Sequence, residues 1–215
     1  MFSYFEKGIT NLIPTKTIDL SQLVKFIKTN PKQSLVNEIR ELRLKGDQTY
    51  KKKKTFLNYI TPNCSVKKRN IKLEEDYTKN FIAPSSYIYF DFDDVVNAKE
   101  YKEYFIEKYG HLVSLVCLSS SGGGISVFFK LTNTVDNKNY LDIWETIKTT
   151  YLIEEQVDLR CKNLGRAMYL TYDTEPFVNY ENEITIDIPF NSEKRHLKKQ
   201  LNQSILNKKY INTLI

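Results

Sequence analysis

Asp91 and Asp93 stand two residues apart at the end of the run Tyr87-Ile-Tyr-Phe-Asp-Phe-Asp-Asp94. The aromatic and β-branched residues before them favour a buried strand. On a strand, a spacing of two puts both carboxylates on one face. Two such groups side by side repel and raise each other's pKa unless a cation lies between them. Hard oxygen ligands of this kind suit magnesium or manganese. The plainer alternative is a strand end whose acids face water. A second candidate is Ser119-Ser-Ser-Gly-Gly-Gly124. Its glycines allow close approach of the backbone to a ligand, and its serines add hydroxyl donors, so the loop could cradle a triphosphate. A flexible turn has the same composition. No Gly-Lys-Ser/Thr closes it, so it is not a P-loop. The third is Val157-Asp158-Leu-Arg160-Cys-Lys162-Asn-Leu-Gly-Arg166, one acid followed by three cations. Asp158 could complete a metal site with Asp91 and Asp93. Arg166 could grip the outer phosphates of a nucleotide. Alternatively, Asp158 and Arg160 form an ordinary surface pair. Asp173, just before Thr174-Glu175-Pro176, reads as a turn residue.

Several elements must position these groups. Helices are expected over 18–30, 34–45 and 47–59, the last basic on one side, followed by a polar stretch from 61 to 80 with a turn and a short extended segment. The strand carrying Asp91 follows, then a helix over 99–109 ended by Gly110. Apolar strands at 112–118 and 125–131 flank the Ser/Gly loop and predict an antiparallel hairpin. Residues 140–151 read as a helix around Trp144, and 167–172 and 183–188 as strands. The pattern predicts an α+β fold, a mixed, largely antiparallel sheet flanked by helices, with an N-terminal α-rich segment. One domain over 1–190 is expected, with an N-terminal helical and basic part (1–80) and a catalytic core (81–190). A basic, helical tail would occupy 191–215.

The chain has 215 residues, 41% of them hydrophobic, which is globular composition. No run of about 18 apolar residues exists to span a membrane, and the first residues lack the pattern of a signal peptide. Cys64, Cys117 and Cys161 are widely spaced and odd in number, which argues against a disulfide framework or a zinc pair. A cytoplasmic protein with reduced thiols is expected. The net charge of +6 is clustered at Lys51, Lys52, Lys53 and Lys54, at Lys67, Lys68 and Arg69, and in the tail. Such clusters attract polyanions, phosphate backbones above all, although a lysine-rich composition also follows from nucleotide bias. Tyr50, Phe56 and Tyr59 are candidates to stack on unpaired bases.

An acidic pair on a strand, a Ser/Gly hairpin and a late Asp followed by Arg, in that order, resemble the archaeo-eukaryotic primase-polymerase superfamily. More narrowly, they resemble the VirE N-terminal-type primase domains of phages and mobile elements. The resemblance runs from about Phe2 to Asn179. It includes the lead-in Ile39-Arg-Glu-Leu42, Tyr50, Lys54, Leu57 and Thr61-Pro62, and the late stretch Leu170 to Asn179. It implies a template-directed nucleotidyltransferase that synthesises or extends primers on single-stranded DNA. Asp91, Asp93 and Asp158 would hold two Mg²⁺ or Mn²⁺ ions. Ser119, Ser121, Gly122, Gly124, Ser126, Lys162 and Arg166 would meet the nucleoside triphosphate. The basic runs would hold the template, and a helicase would act as a separate partner. One position departs from the pattern. Two residues after the Gly loop the superfamily carries His and the VirE-type branch often Lys, where this chain has Ser126; Lys130 and Lys162 are the candidates to supply that cation. Two other readings stay open. One is a primase fold that binds nucleic acid without turnover. The other is a phosphatase of the haloacid-dehalogenase type, whose first motif resembles Asp91-Phe-Asp93.

Overall fold

A computed structural model describes residues 1–69, 79–136 and 138–187. The basic tail and much of the polar stretch after Arg69 lie outside the described residues. The chain is α+β, and its strands pair antiparallel in two four-stranded sheets and one small hairpin.

The sheet that carries the candidate acids contains β6 (Tyr87–Phe92), β7 (Leu115–Leu118), β8 (Ile125–Lys130) and β10 (Phe177–Val178), in the order β10-β7-β8-β6. The expected hairpin is present: β7 and β8 pair from Leu115↔Phe128 to Leu118↔Ile125. β6 lies along β8 with Asp91 opposite Ser126. Alternation divides β6 between two environments. Phe90 and Phe92 pack on helices α4 (Ala98–Tyr109) and α5 (Tyr140–Thr150). Phe90 stacks on Trp144 at 4.9 Å, and Phe92 meets Phe105 at 5.1 Å. Tyr87, Tyr89 and Asp91 face the other way, where Tyr87 meets Phe2 at 5.3 Å.

Phe2 belongs to a second sheet. It is built from β1 (Phe2–Phe5), β2 (Lys16–Ile18), β3 (Tyr59–Thr61) and β9 (Met168–Tyr169), in the order β2-β1-β3-β9. The N-terminal part contains three helices where they are expected, α1 (Leu20–Lys28), α2 (Gln33–Leu44) and α3 (Thr49–Lys54), but the third stops at Lys54 and the expected helical end at Tyr59 instead opens β3. It also contains β1, β2 and β3, which lie outside the expected strands, while the short extended segment expected within 61–80 is β4 (Cys64–Val66), which pairs with β5 (Phe81–Pro84). β1 and β2 are short and give no periodicity long enough to register. Helix α1 begins with a capping box in which Asp19 and Gln22 each accept a backbone N–H of the other. Because β9 completes the N-terminal sheet, the early and late parts of the chain share one core. The strand expected over 183–188 is absent across its described residues. Ile184 makes only an isolated parallel bridge with Leu131.

β6 ends its sheet, but its outer edge is occupied. The Ser85 hydroxyl donates to the Tyr87 carbonyl and accepts the Tyr87 N–H. The Asn63 side-chain oxygen accepts the Tyr89 N–H at 2.9 Å. The Asp158 N–H donates to the Asp91 carbonyl at 2.9 Å. That last bond fixes the third acid against the strand holding the first.

Candidate metal centre and its basic cleft

The two sheets part around a cleft of about 980 Å³ that reaches Tyr89, Asp91 and Ser126 on one side and Met168 and Tyr169 on the other. Asp91 lies on the floor, 8% exposed. Asp93 follows just beyond the strand, on the same face. Asp158 enters from the other end of the chain as the N-cap of a short 3-10 helix, Leu159–Lys162. One carboxylate oxygen from each of the three lies within 4.8 Å of the others. Three anionic oxygens at that separation, on a half-buried floor, fit a hard divalent cation.

The environments of the acids differ. Burial and the Asp93 charge push the Asp91 carboxyl up to about 6, against the pull of Lys54 and hydrogen bonds from Ser126 and Tyr89. The Ser126 hydroxyl donates to Asp91 Oδ1 at 3.0 Å and lies 3.3 Å from the Tyr89 hydroxyl. For Asp158, burial acts upward but is outweighed by hydrogen bonds from Arg160 and by the charges of Arg166 and Arg160, so its carboxyl lies below the ordinary value. Arg160 Nε donates to both oxygens of Asp158, at 2.8 and 2.9 Å, while Arg160 Nη2 reaches Asp93 Oδ2 at 3.2 Å. Arg166 Nη2 donates to Asp158 Oδ2 at 3.1 Å, and its buried Nε has no partner. The sequence singled out Arg166 but not Arg160. An Asp–Arg pair two residues apart looks ordinary until folding brings Asp93 to it.

Of the residues expected to meet a nucleotide, Ser119, Ser126, Lys162 and Arg166 line the cleft. Lys162 pairs with Glu145 and lies over the Trp144 ring at 5.4 Å. Lys130 does not belong to this site. It pairs with Glu183 at 3.0 Å at the far end of β8. Four residues along a strand carry it about 13 Å from Ser126, although the face is the same. The glycines also serve other contacts. Ser121 and Gly122 border a separate small cavity with Arg40 and Arg43. Gly122 has φ +69° and lies against the Arg40 side chain. A Cβ on Gly124 would sit 1.7 Å from the Phe92 carbonyl oxygen, so glycine there lets the loop close on the end of β6.

The basic runs divide. Lys54, held over the Tyr169 ring at 5.4 Å, and Arg69, over Tyr59 at 5.1 Å, line the cleft. Lys51 lies over Tyr50, and Lys53 pairs with Glu38 at 2.9 Å. Lys52, Lys67 and Lys68 are exposed away from the cleft lining. Among the aromatic candidates, Tyr59 is fully buried and stacked on Phe5 at 4.3 Å, so it is unavailable to bases. Tyr50 packs beside Val36, Ile39 and Leu57, whereas Phe56 is exposed. Asp173 is the expected turn residue, accepting the Glu175 N–H, and it also binds Lys102 and the Leu118 N–H. The three cysteines are free and buried. No described helix is long and apolar enough to cross a membrane. Comparison with protein-family models, with curated proteins and with solved structures gives no match.

Proposed function

We propose that the protein is a metal-dependent nucleotidyltransferase that synthesises or extends primers on a single-stranded DNA template, in the replication of a phage or mobile element. The supporting observation is the convergence of Asp91, Asp93 and Asp158 beside a cleft that Asp91 and Asp93 line and whose other ionic lining is entirely cationic: Lys54, Arg69, Arg160, Lys162 and Arg166. An acid cluster binds cations and a basic wall binds phosphates. Together they suit a reaction between a phosphate-bearing substrate and a phosphate-bearing strand.

Asp91, Asp93 and Asp158 would hold Mg²⁺ or Mn²⁺, as two ions in the full site. Bound there, the metal would lower the pKa of a primer 3′-hydroxyl and offset charge at the α-phosphate. Lys162 and Arg166 orient the triphosphate, and the Arg166 guanidinium stabilises charge on departing pyrophosphate. Ser119 and Ser126 offer hydroxyls at the floor. Lys54 and Arg69 hold the template backbone, so binding weakens steeply with salt.

The test is template-directed incorporation of labelled ribo- and deoxynucleotides with each metal. Asp91→Ala with Asp93→Ala is expected to abolish incorporation while the circular dichroism spectrum is unchanged. Incorporation that survives the double change sinks the assignment. A second reading, strand binding without turnover, draws on Ser126 standing where the resemblance expects a cation, and on the arginines already neutralising Asp93 and Asp158. Strand binding without extension in both metals would favour it. Hydrolysis of a generic phosphoester without incorporation would favour the phosphatase.

A further inference from the structure

Arg160 is, among the described residues, the cation bonded to two members of the acid cluster. Its guanidinium takes both oxygens of Asp158 and one of Asp93. A divalent ion shared by these carboxylates needs the same lone pairs, because hard cations coordinate through them directly. Arg160 and such an ion therefore compete for these oxygens. The pairing also accounts for Asp93 and Asp158 lying so close together. With no ion present, the guanidinium offsets the repulsion between Asp93 and Asp158.

Of the two arginines at the cluster, Arg160 is the one placed to leave. Its side chain is 68% exposed, against 28% for Arg166, whose Nε is buried. It is anchored two residues from Asp158 on the 3-10 helix and lines the same cleft as Lys162 and Arg166. Once released, it remains within reach of whatever anion occupies that cleft. A guanidinium matches phosphate oxygens as well as it matches carboxylate.

We propose that Arg160 is a displaceable counter-ion: it guards the acid cluster until a divalent cation enters, then transfers its two-pronged grip to the phosphates of the incoming nucleotide. This rests on reading Asp91, Asp93 and Asp158 as cation ligands. Its consequence is coupling: metal entry frees an anion receptor, and the anion in turn keeps Arg160 from returning.

Calorimetric titration of the full chain with Mn²⁺ alone, then with tripolyphosphate at saturating Mn²⁺, tests this on wild type, Arg160→Gln and Arg160→Lys. Arg160→Gln is expected to bind Mn²⁺ about three- to tenfold more tightly and tripolyphosphate more weakly by a similar factor. Arg160→Lys, which keeps the charge but loses the fork, should tighten Mn²⁺ less. Mn²⁺ binding by wild type with equal or weaker binding by Arg160→Gln overturns the inference while leaving the carboxylate site standing. Tighter Mn²⁺ with unchanged tripolyphosphate overturns the coupling. Absence of Mn²⁺ binding in every form overturns the inference and the metal reading together.

Discussion

Asp91 and Asp158 present the same functional group under opposite electrostatic conditions. On the floor, Asp91 is nearly buried on β6, and beyond the hydroxyls of Ser126 and Tyr89 and the more distant Lys54 it has little to offset its charge. Beside it, the equally shielded Asp158 carboxylate carries two arginines. Asp91 thus holds a proton more readily than an ordinary aspartic acid, and Asp158 less readily. The contrast shows how one cluster can be partly neutralised by its own chain and still keep a geometry that suits a hard cation. Asp158 is neutralised by Arg160 and Arg166, and Asp91 is left short of positive charge.

The floor depends on the Ser/Gly loop closing on β6, and breaking that closure should have the largest effect on the fold. Gly124→Ala places a methyl 1.7 Å from the Phe92 carbonyl oxygen, against backbone that cannot give way cheaply. A loss of about 3 kcal/mol of stability is expected in urea denaturation. A neutral result would mean that the loop does not rest on the strand.

The pH dependence sharpens the contrast. Asp91 must lose its proton to bind a cation. Mn²⁺ affinity should therefore rise roughly tenfold per pH unit below about 6 and level off above it. Without metal the signs are opposed for the two acids. The raised Asp91 value favours the fold below its ordinary 3.8, and that contribution is lost as pH rises through about 6. The lowered Asp158 value contributes above 3.8 and is lost as pH falls through its folded-state value. Thermal denaturation with a chelator across this range, with Asp91→Asn for comparison, checks both. A chelated Asp91→Asn protein whose profile between pH 4 and 6 matches wild type would remove Asp91 as the source. The smallest effect expected is that of Ser126→Ala. Loss of its bond should move the midpoint of the Mn²⁺ pH curve upward by about half a unit to one unit. A downward shift would contradict the role given to that hydroxyl.

Much of the floor was legible in the sequence. A run of aromatic and β-branched residues ending in spaced acids, and two apolar strands around a glycine loop, carry strong local signals. The joining of Asp158 to Asp91 was reachable only through the order of the parts, because a backbone hydrogen bond between distant segments leaves no trace in spacing. Arg160 was passed over for the same reason: its second partner, Asp93, is 67 residues away. Lys130 was misplaced because sharing a strand face says nothing of distance along it. The glycines pointed to close approach correctly, but what approaches Gly124 is the end of β6. β1 and β2 escaped notice because strands of four and three residues are too short for periodicity to show.

The outer border of β6 has one more consequence. A terminal strand normally offers its unpaired backbone as a template for another chain, which invites self-association. Here Ser85, Asn63 and the Asp158 amide occupy several of the groups that would recruit a partner. The contact that delivers the third carboxylate thus also covers part of an open sheet edge, so variation that loosened that junction would bare backbone as well as displace the acid.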